Sequence, residues 1–580
     1  MAGVLPSPRV TIAAFLLAVL GVTSGCAGAG SASPNTTPSS SSGPSTDPTA
    51  TTGPATPAAR LAATLSDEDL VGQVLMPYAY GGSATEVSAG SAAGNQQLAG
   101  VDSPAEMIER YRLGGLILVG FSADDPTGSN QPTTNVDDTA QVRALTTGLQ
   151  QAASGLPAAT LPAGAGDLPL LIGTDQEFGI VTRIDQGVTI LPSAMAAGAA
   201  GRPDLTEAAW RAAGTELAAL GVNVDFAPVA DVLGVSSTVI GSRSYGADPA
   251  LTAQQVGAAV RGLQGAGVAA TVKHFPGHGH TAVDSHGDLP VLEQDRAALD
   301  TADLPPFAAG IDAGAGLVMS GHLDVTSVDP GVAATFSRKV LTDLLRGELG
   351  FEGVVVTDGM NMAPAQVMPP GAAAVAAVNA GNDLILMPPN VTATYDGLLG
   401  ALRDGSLPRE RLVQAVTRVL TLKQRLAGAA TPPMSVLGAA GHYAAARELA
   451  AAAITQVRGA CTVVGQPVTV TASAGRDRTR TLLIESLRAG GVEVVDRGGT
   501  TVHLVGYGDG ASDLSAAAAV TVAMDTPYLL AQSRSPVLLA TYSSSAASMS
   551  ALADVLRGKT KAPGRLPVSV GDLPPTSCGQ

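Results

Sequence analysis

Between residues 61 and 430, short runs rich in Val, Ile and Leu alternate with Ala- and Leu-rich stretches of helical spacing. Eight of the runs have strand length: Val71 to Tyr80, Gly115 to Phe121, Leu168 to Asp175, Val222 to Ala227, Val268 to Lys273, Gly316 to Ser320, Gly353 to Thr357 and Asp383 to Met387. Most are almost unbroken in apolar residues, as strands covered on both faces are. Eight such strands interleaved with helices predict an α/β fold, a (β/α)8 TIM-like barrel, with a doubly wound open sheet as the other arrangement the pattern allows. Leu412, Val416, Val419, Leu422 and Leu426 stripe one face of a closing helix, with Ser406 as its predicted cap and Pro408 in its first turn.

A Gly/Pro/Ala-rich join follows, and residues 438–580 read as a smaller α/β sandwich domain. Its strand candidates are Thr462 to Val464, Val468 to Val470, Val502 to Val505, Val520 to Val522 and Val537 to Leu539, and its helices Thr479 to Ala489 and Ser548 to Leu556. His503 stands alone in a strand, where a structural role is expected.

The barrel pattern matters because of where its polar residues fall. Asp175, Asp231, Lys273-His274, His322 and Asp358 all stand at the carboxyl ends of apolar runs, which in a barrel converge on one mouth. The chain has seven histidines, and five lie between His274 and His322. Four of them, His274, His278, His280 and His286, follow the fifth strand on a segment too rich in Gly and Pro for a helix.

Two carboxylates in this set have different settings. Asp358 follows Val354-Val355-Val356-Thr357, so the scaffold would hold it rigidly. Asp284 sits two residues before His286 on a loop. A carboxylate beside an imidazole orients the ring and stabilises its charged form, as general acid–base work requires. A fixed carboxylate with a movable proton donor fits glycoside hydrolysis. The plainer alternative makes Asp358 a strand-end cap and Asp284 to His286 a polar loop. Zinc held by His278, His280, Asp284 and His286 is a further rival. Its spacing is wrong for a helical two-histidine face, so no metal and no cofactor are expected.

A net charge of -16 without a Lys/Arg cluster argues against nucleic acid or another polyanion as partner. Residues 1–25 read as an export signal, with Arg9 ahead of the apolar stretch Thr11 to Val22. Thr23-Ser24-Gly25-Cys26 resembles a bacterial lipoprotein cleavage box, implying an acylated Cys26 that tethers the protein to the outer face of the cytoplasmic membrane; plain secretion is the alternative. Residues 26–60, mainly Ser, Thr, Pro, Gly and Ala, read as a flexible stalk. Outside the cytoplasm, the remaining Cys461 and Cys578 favour a disulfide over two separate thiols.

Lys273-His-Phe-Pro-Gly-His-Gly279, followed by Asp284-Ser-His286, resembles the signature of family 3 glycoside hydrolases, specifically the bacterial β-N-acetylglucosaminidases that trim peptidoglycan fragments. Gly173-Thr-Asp-Gln-Glu177, Asp225-Phe-Ala-Pro-Val-Ala-Asp231, Gly241-Ser-Arg-Ser-Tyr-Gly246, Val318-Met-Ser-Gly-His322 and Val354-Val-Val-Thr-Asp358 extend the likeness. Leu539-Ala-Thr-Tyr-Ser543 and Gly564-Arg-Leu-Pro-Val568 are similar to the second domain of two-domain members. The resemblance implies Asp358 as nucleophile, His286 assisted by Asp284 as acid and base, and Asp175, Arg243, Lys273 and His274 at the terminal sugar. Asp231 would stand there or one layer behind. It further implies a retaining exo-β-N-acetylglucosaminidase acting on muropeptides. A β-GlcNAc phosphorylase or broader β-glycosidase, and a non-catalytic glycan-binding surface lipoprotein, are the alternatives. The family usually reads Asp-Gln-Glu-Gly-Gly with an Arg close behind. This chain has Phe178 at the first glycine, which restricts the turn and leaves the placement of Glu177 and Arg183 open.

Overall fold

Eight short strands form the wall of the larger domain: β1 Leu75–Met76, β2 Gly115–Leu118, β3 Leu171–Thr174, β4 Val224–Asp225, β5 Ala269–Phe275, β6 Leu317–Ser320, β7 Val354–Thr357 and β8 Ile385–Leu386. Each falls within or overlaps one of the eight apolar runs. The computed structural model describes residues 56–120, 135–159, 167–461 and 464–578. The expected export signal, Cys26, the expected stalk to residue 55, Phe121 and Thr462-Val463 lie outside the described residues.

From β2 to β7 the neighbours pair in parallel, in the order β2-β3-β4-β5-β6-β7. A parallel bridge between Val356 and Leu384 joins β7 to the chain entering β8, and β8 pairs in parallel with β1. The Ile117 N–H donates to the Pro77 carbonyl (3.0 Å), completing the circuit from β1 to β2. The result is the (β/α)8 barrel. Inside it, side chains meet so closely that a Cβ on Gly173 would lie 2.7 Å from Met76 Cε and 2.8 Å from Phe226 Cε2. Only glycine lets those two large groups fill the interior.

Several local expectations change. The run from Val71 is helical through Gln73, because Ser66 and Asp69 form a reciprocal cap that starts a helix at Asp67–Gln73; only Leu75–Met76 remains as strand. Residues 57–60, expected within the stalk, are instead helical, since Pro57–Thr64 is a helix packed on the closing helix Arg409–Ala427. That closing helix buries the expected stripe, but Pro408 precedes it with no side-chain cap and Ser406 lies outside.

The second domain is a five-stranded sheet of β9 Thr455–Arg458, β10 Val468–Ala472, β11 Thr500–Val505, β12 Val520–Ala523 and β13 Val537–Ala540. Its order is β9-β13-β12-β11-β10, parallel except for the edge strand β9. The sequence pattern missed β9, whose Thr455-Gln456-Val457-Arg458 has little apolar character. Helix Ala440–Ala453 buries Ala446, Leu449, Ala450 and Ala453, packing on barrel helices Ala194–Ala200 and Pro203–Ala219 and on helix Ala546–Leu556 of the second domain. Cys461 and Cys578 form a disulfide with Cα atoms 5.7 Å apart, tying the chain after β9 to its last described residue. His503 is bound at both ring nitrogens, to Thr471 Oγ1 (2.9 Å) and the Asp513 carbonyl (2.7 Å), inside the sheet.

Candidate active site

The carboxyl ends of the barrel strands surround one cleft, lined by Asp175, Glu177, Arg183, Arg243, Lys273, His274, His278, His286 and Asp358 together with Met319, Leu386 and Met387. Asp358 leaves β7 with its N–H bound to the Ser320 carbonyl (3.0 Å), while its Oδ1 accepts from the Gly359 N–H (2.7 Å). Burial by itself would raise its pKa, but the imidazoles of His274, His322 and His286 and the Gly359 N–H outweigh this and hold it down to about 2. Asp358 is therefore a carboxylate fixed in place at neutral pH. His322, fully buried, holds the same loop from below through the Gly359 carbonyl (3.1 Å).

His286 approaches on the loop after β5. Phe275-Pro276-Gly277 turns the chain out of the strand, at a φ of +133° for Gly277, where an added Cβ would strike Asp303 Oδ1 at 2.7 Å. Asp284 Oδ1 then accepts from both the backbone N–H of His286 (2.9 Å) and its Nδ1 (2.7 Å). Burial opposes ionisation of Asp284, but these bonds bring its pKa below the ordinary value. The ring's other nitrogen, Nε2, is thus free of this pairing. The Ala363 N–H donates to the His286 carbonyl (3.2 Å), so the loop is docked on the segment that follows Asp358.

In the same cleft, cations and carboxylates interlock. Glu177 accepts from Arg243 Nε (2.6 Å) and Nη2 (2.9 Å) and pairs with Lys273 Nζ (2.6 Å); Lys273 also reaches Asp175 Oδ1 (2.7 Å). Burial pushes the Glu177 carboxyl up, and Arg243 and Lys273 overcome it, leaving the group well below the usual carboxylate range. Asp231 stands behind His274. It is wholly buried, with Oδ2 against His274 Nδ1 (2.8 Å) and Oδ1 accepting from the N–H groups of His274 (3.1 Å) and His278 (2.7 Å). Asp231 orients His274 so that Nε2 faces Arg243 Nη2 at 3.4 Å. His278 is buried, which pushes its imidazole down to about 4 and keeps it neutral.

Glu177 and Arg183 are the residues the sequence left unplaced, because Phe178 interrupts the glycine pair. The structure resolves this: Phe178 itself takes the left-handed conformation, at φ +66°, followed by Gly179 at +70°. Its buried ring packs edge-on against Trp210, with centroids 5.5 Å apart. The aromatic contact supports a backbone shape that otherwise favours glycine, and Glu177 and Arg183 both reach the cleft. The zinc alternative loses its ligands here. His280 Nδ1 turns to Asp303 Oδ1 (2.9 Å) and His286 to Asp284, and among the described residues no group of three or more metal-ligating side chains converges.

Fold and cleft together define a two-domain (β/α)8 protein whose mouth gathers a carboxylate, a carboxylate-backed imidazole and a cluster of fixed charges in one cleft. The profile of the glycosyl hydrolase family 3 N terminal domain matches residues 71–422, and the chain belongs to that family. It is 35% identical over 385 residues to beta-hexosaminidase A of Pseudoalteromonas piscicida, covering 61% of each chain, about three fifths of that relative's length. It is 33% identical to a beta-N-acetylglucosaminidase/beta-glucosidase of Cellulomonas fimi, over 67% of this chain and 70% of the relative. Among solved structures, a family 3 beta-N-acetylglucosaminidase from Paenibacillus sp. superposes with a TM-score of 0.75 at 31% identity, covering 87% of this chain and 99% of that one.

Proposed function

We propose that this protein is a retaining exo-β-N-acetylglucosaminidase that removes terminal β-linked GlcNAc from peptidoglycan fragments. The observation that carries this reading is the cleft shared by Asp358, His286 and the charged cluster of Asp175, Glu177, Arg243 and Lys273. Asp358, already ionised, attacks the anomeric carbon as the bond to the leaving oxygen breaks, giving a glycosyl-Asp intermediate. His286, held by Asp284, supplies the proton to that oxygen. Water then enters; His286 takes its proton as the new C–O bond forms and Asp358 leaves. The cluster holds the hydroxyls of the terminal ring by charge-assisted hydrogen bonds, fixing it for in-line attack. The relatives' hexosaminidase names favour an N-acetylated sugar. An anchored Cys26 and a stalk would place this activity on the outer face of the membrane, where an oxidised Cys461–Cys578 pair is at home.

The test is release of the aglycone from a chromogenic β-GlcNAc substrate, with muropeptides as the natural series. Asp358→Asn should abolish release, and unimpaired turnover by that variant would remove Asp358 from the chemistry. An imidazole repels phosphate less than a second carboxylate would, which favours phosphorolysis as a second reading. Sugar-1-phosphate as the main product in phosphate buffer would select it.

A further inference from the structure

We infer that the second domain supplies a positioning residue to the sugar site: Asp525, acting through Ser242 on Arg243. This rests on the function proposed above and assigns the second domain a task in it.

Arg243 is the last residue of a single tight turn, Gly241–Arg243, and its guanidinium binds Glu177 in the cleft. A one-turn element has little stiffness of its own. Barrel helix Ala194–Ala200 packs on it, and the other domain adds further support. The buried hydroxyl of Ser242 donates to Asp525 Oδ1, on the loop that leaves the carboxyl end of β12. Thr526 closes over Gly241, where an added Cβ would lie 3.3 Å from its Cγ2. On the far side of Arg243, the Ala247 N–H donates to the Pro567 carbonyl (2.9 Å). Gly246, at φ +142°, has no room for a Cβ, which would lie 2.5 Å from the same carbonyl oxygen.

The segment bearing the guanidinium is therefore gripped at both ends by the second domain. Between them the barrel adds ties of its own, Ser244 Oγ to the Asp231 carbonyl (2.6 Å) and the Leu233 N–H to the Gly246 carbonyl (2.9 Å). Of these contacts only Asp525 offers a side-chain carboxyl group, and its Oδ1 is the acceptor for the Ser242 hydroxyl. Asp525 is placed by the second domain's parallel sheet at the carboxyl end of a strand, where such sheets put functional groups.

The expectation is a binding defect. Asp525→Ala and Ser242→Ala should each raise KM for a chromogenic β-GlcNAc substrate about five- to tenfold, with kcat within about twofold, since a loosened Arg243 weakens ring binding before and during reaction alike. Asp525→Asn keeps an acceptor for the hydroxyl and should restore most of the affinity. The double variant Ser242→Ala/Asp525→Ala should be no worse than either single one, because both remove the same link. GlcNAc affinity by calorimetry follows the same order and requires no turnover. A Asp525→Ala protein with a lowered melting temperature but unchanged KM and GlcNAc affinity would make Asp525 merely structural and overturn the inference. Additive effects of the two singles would overturn it as well. Wild-type protein that neither binds GlcNAc nor cleaves the substrate would sink the proposed function and this inference together; normal wild-type turnover with an unaffected Asp525→Ala variant sinks the inference alone.

Discussion

Replacing Glu177 by Gln should damage both the cleft and the fold. The carboxylate is about as exposed as the cations it holds, with 3% of its side-chain surface accessible against 4% for Arg243 and 3% for Lys273. It takes three charge-assisted bonds at 2.6–2.9 Å. Glutamine is nearly the same size but is neutral, with one acceptor oxygen and an amide N–H2 that would face a guanidinium or an ammonium. Breaking a buried pair by removing one partner costs about 3–5 kcal/mol. Lys273 keeps Asp175 as a second partner, so the loss should fall near the lower end, about 3 kcal/mol, or about a hundredfold if it appears in kcat/KM. The variant should melt well below wild type at pH 7 and show that drop in kcat/KM for a β-GlcNAc substrate. The sign of the pH dependence follows from the depressed pKa of Glu177. Its stabilisation is complete above the unfolded carboxyl's pKa of 4.5 and is lost as pH falls through the folded value, so the stability gap between the two proteins should narrow in acid. A Glu177→Gln protein with wild-type melting and kinetics would show that the cluster is not what holds Arg243 and Lys273.

Two further substitutions probe the scaffold. Lys423 is buried on the closing helix with its Nζ donating to Gln73 Oε1 (2.8 Å), and burial pushes it down from 10.5 to about 7. The folded chain thus holds its proton less tightly than the unfolded one: stability rises with pH from about 7 to 10.5, and the penalty below pH 7 is about 5 kcal/mol. Lys423→Met should therefore stabilise by about 2–4 kcal/mol near pH 6, after about 1–3 kcal/mol lost at the orphaned Gln73 oxygen; denaturant unfolding should show the gain shrinking toward pH 10, and a destabilised variant at pH 6 would refute the assignment. Phe178→Gly relieves about 1–3 kcal/mol of left-handed strain but forfeits a buried ring worth about 3–5 kcal/mol, so the glycine variant should be less stable by about 2 kcal/mol, and equal or higher stability in the same measurement would mean that strain outweighs packing.

The barrel was legible because its strands are covered on both faces, which forces near-continuous apolar runs at most of the eight positions. The edge strand Thr455–Arg458 was not, since it pairs on one side only and carries Gln456 and Arg458, polar residues that the pattern reads as loop. Cap geometry at the closing helix was also illegible. Whether Ser406 caps a helix depends on where the chain turns, and the chain turns two residues later, at Pro408. At the candidate site, Asp358 and the Asp284–His286 pair could be picked out because their chemistry is local, a strand end and a two-residue spacing.

Sequence alone determined which residue types face the mouth: side-chain period and strand length decide that, and both are properties of contiguous residues. It did not determine which of them touch one another. Glu177 meets Arg243 across 66 positions and Lys273 across 96, Asp231 meets His274 across 43, and Ser242 meets Asp525 across 283. Such pairings depend on how the barrel closes and how the second domain docks, and neither the position of a buried charge nor its ionisation exists until the chain has removed it from water.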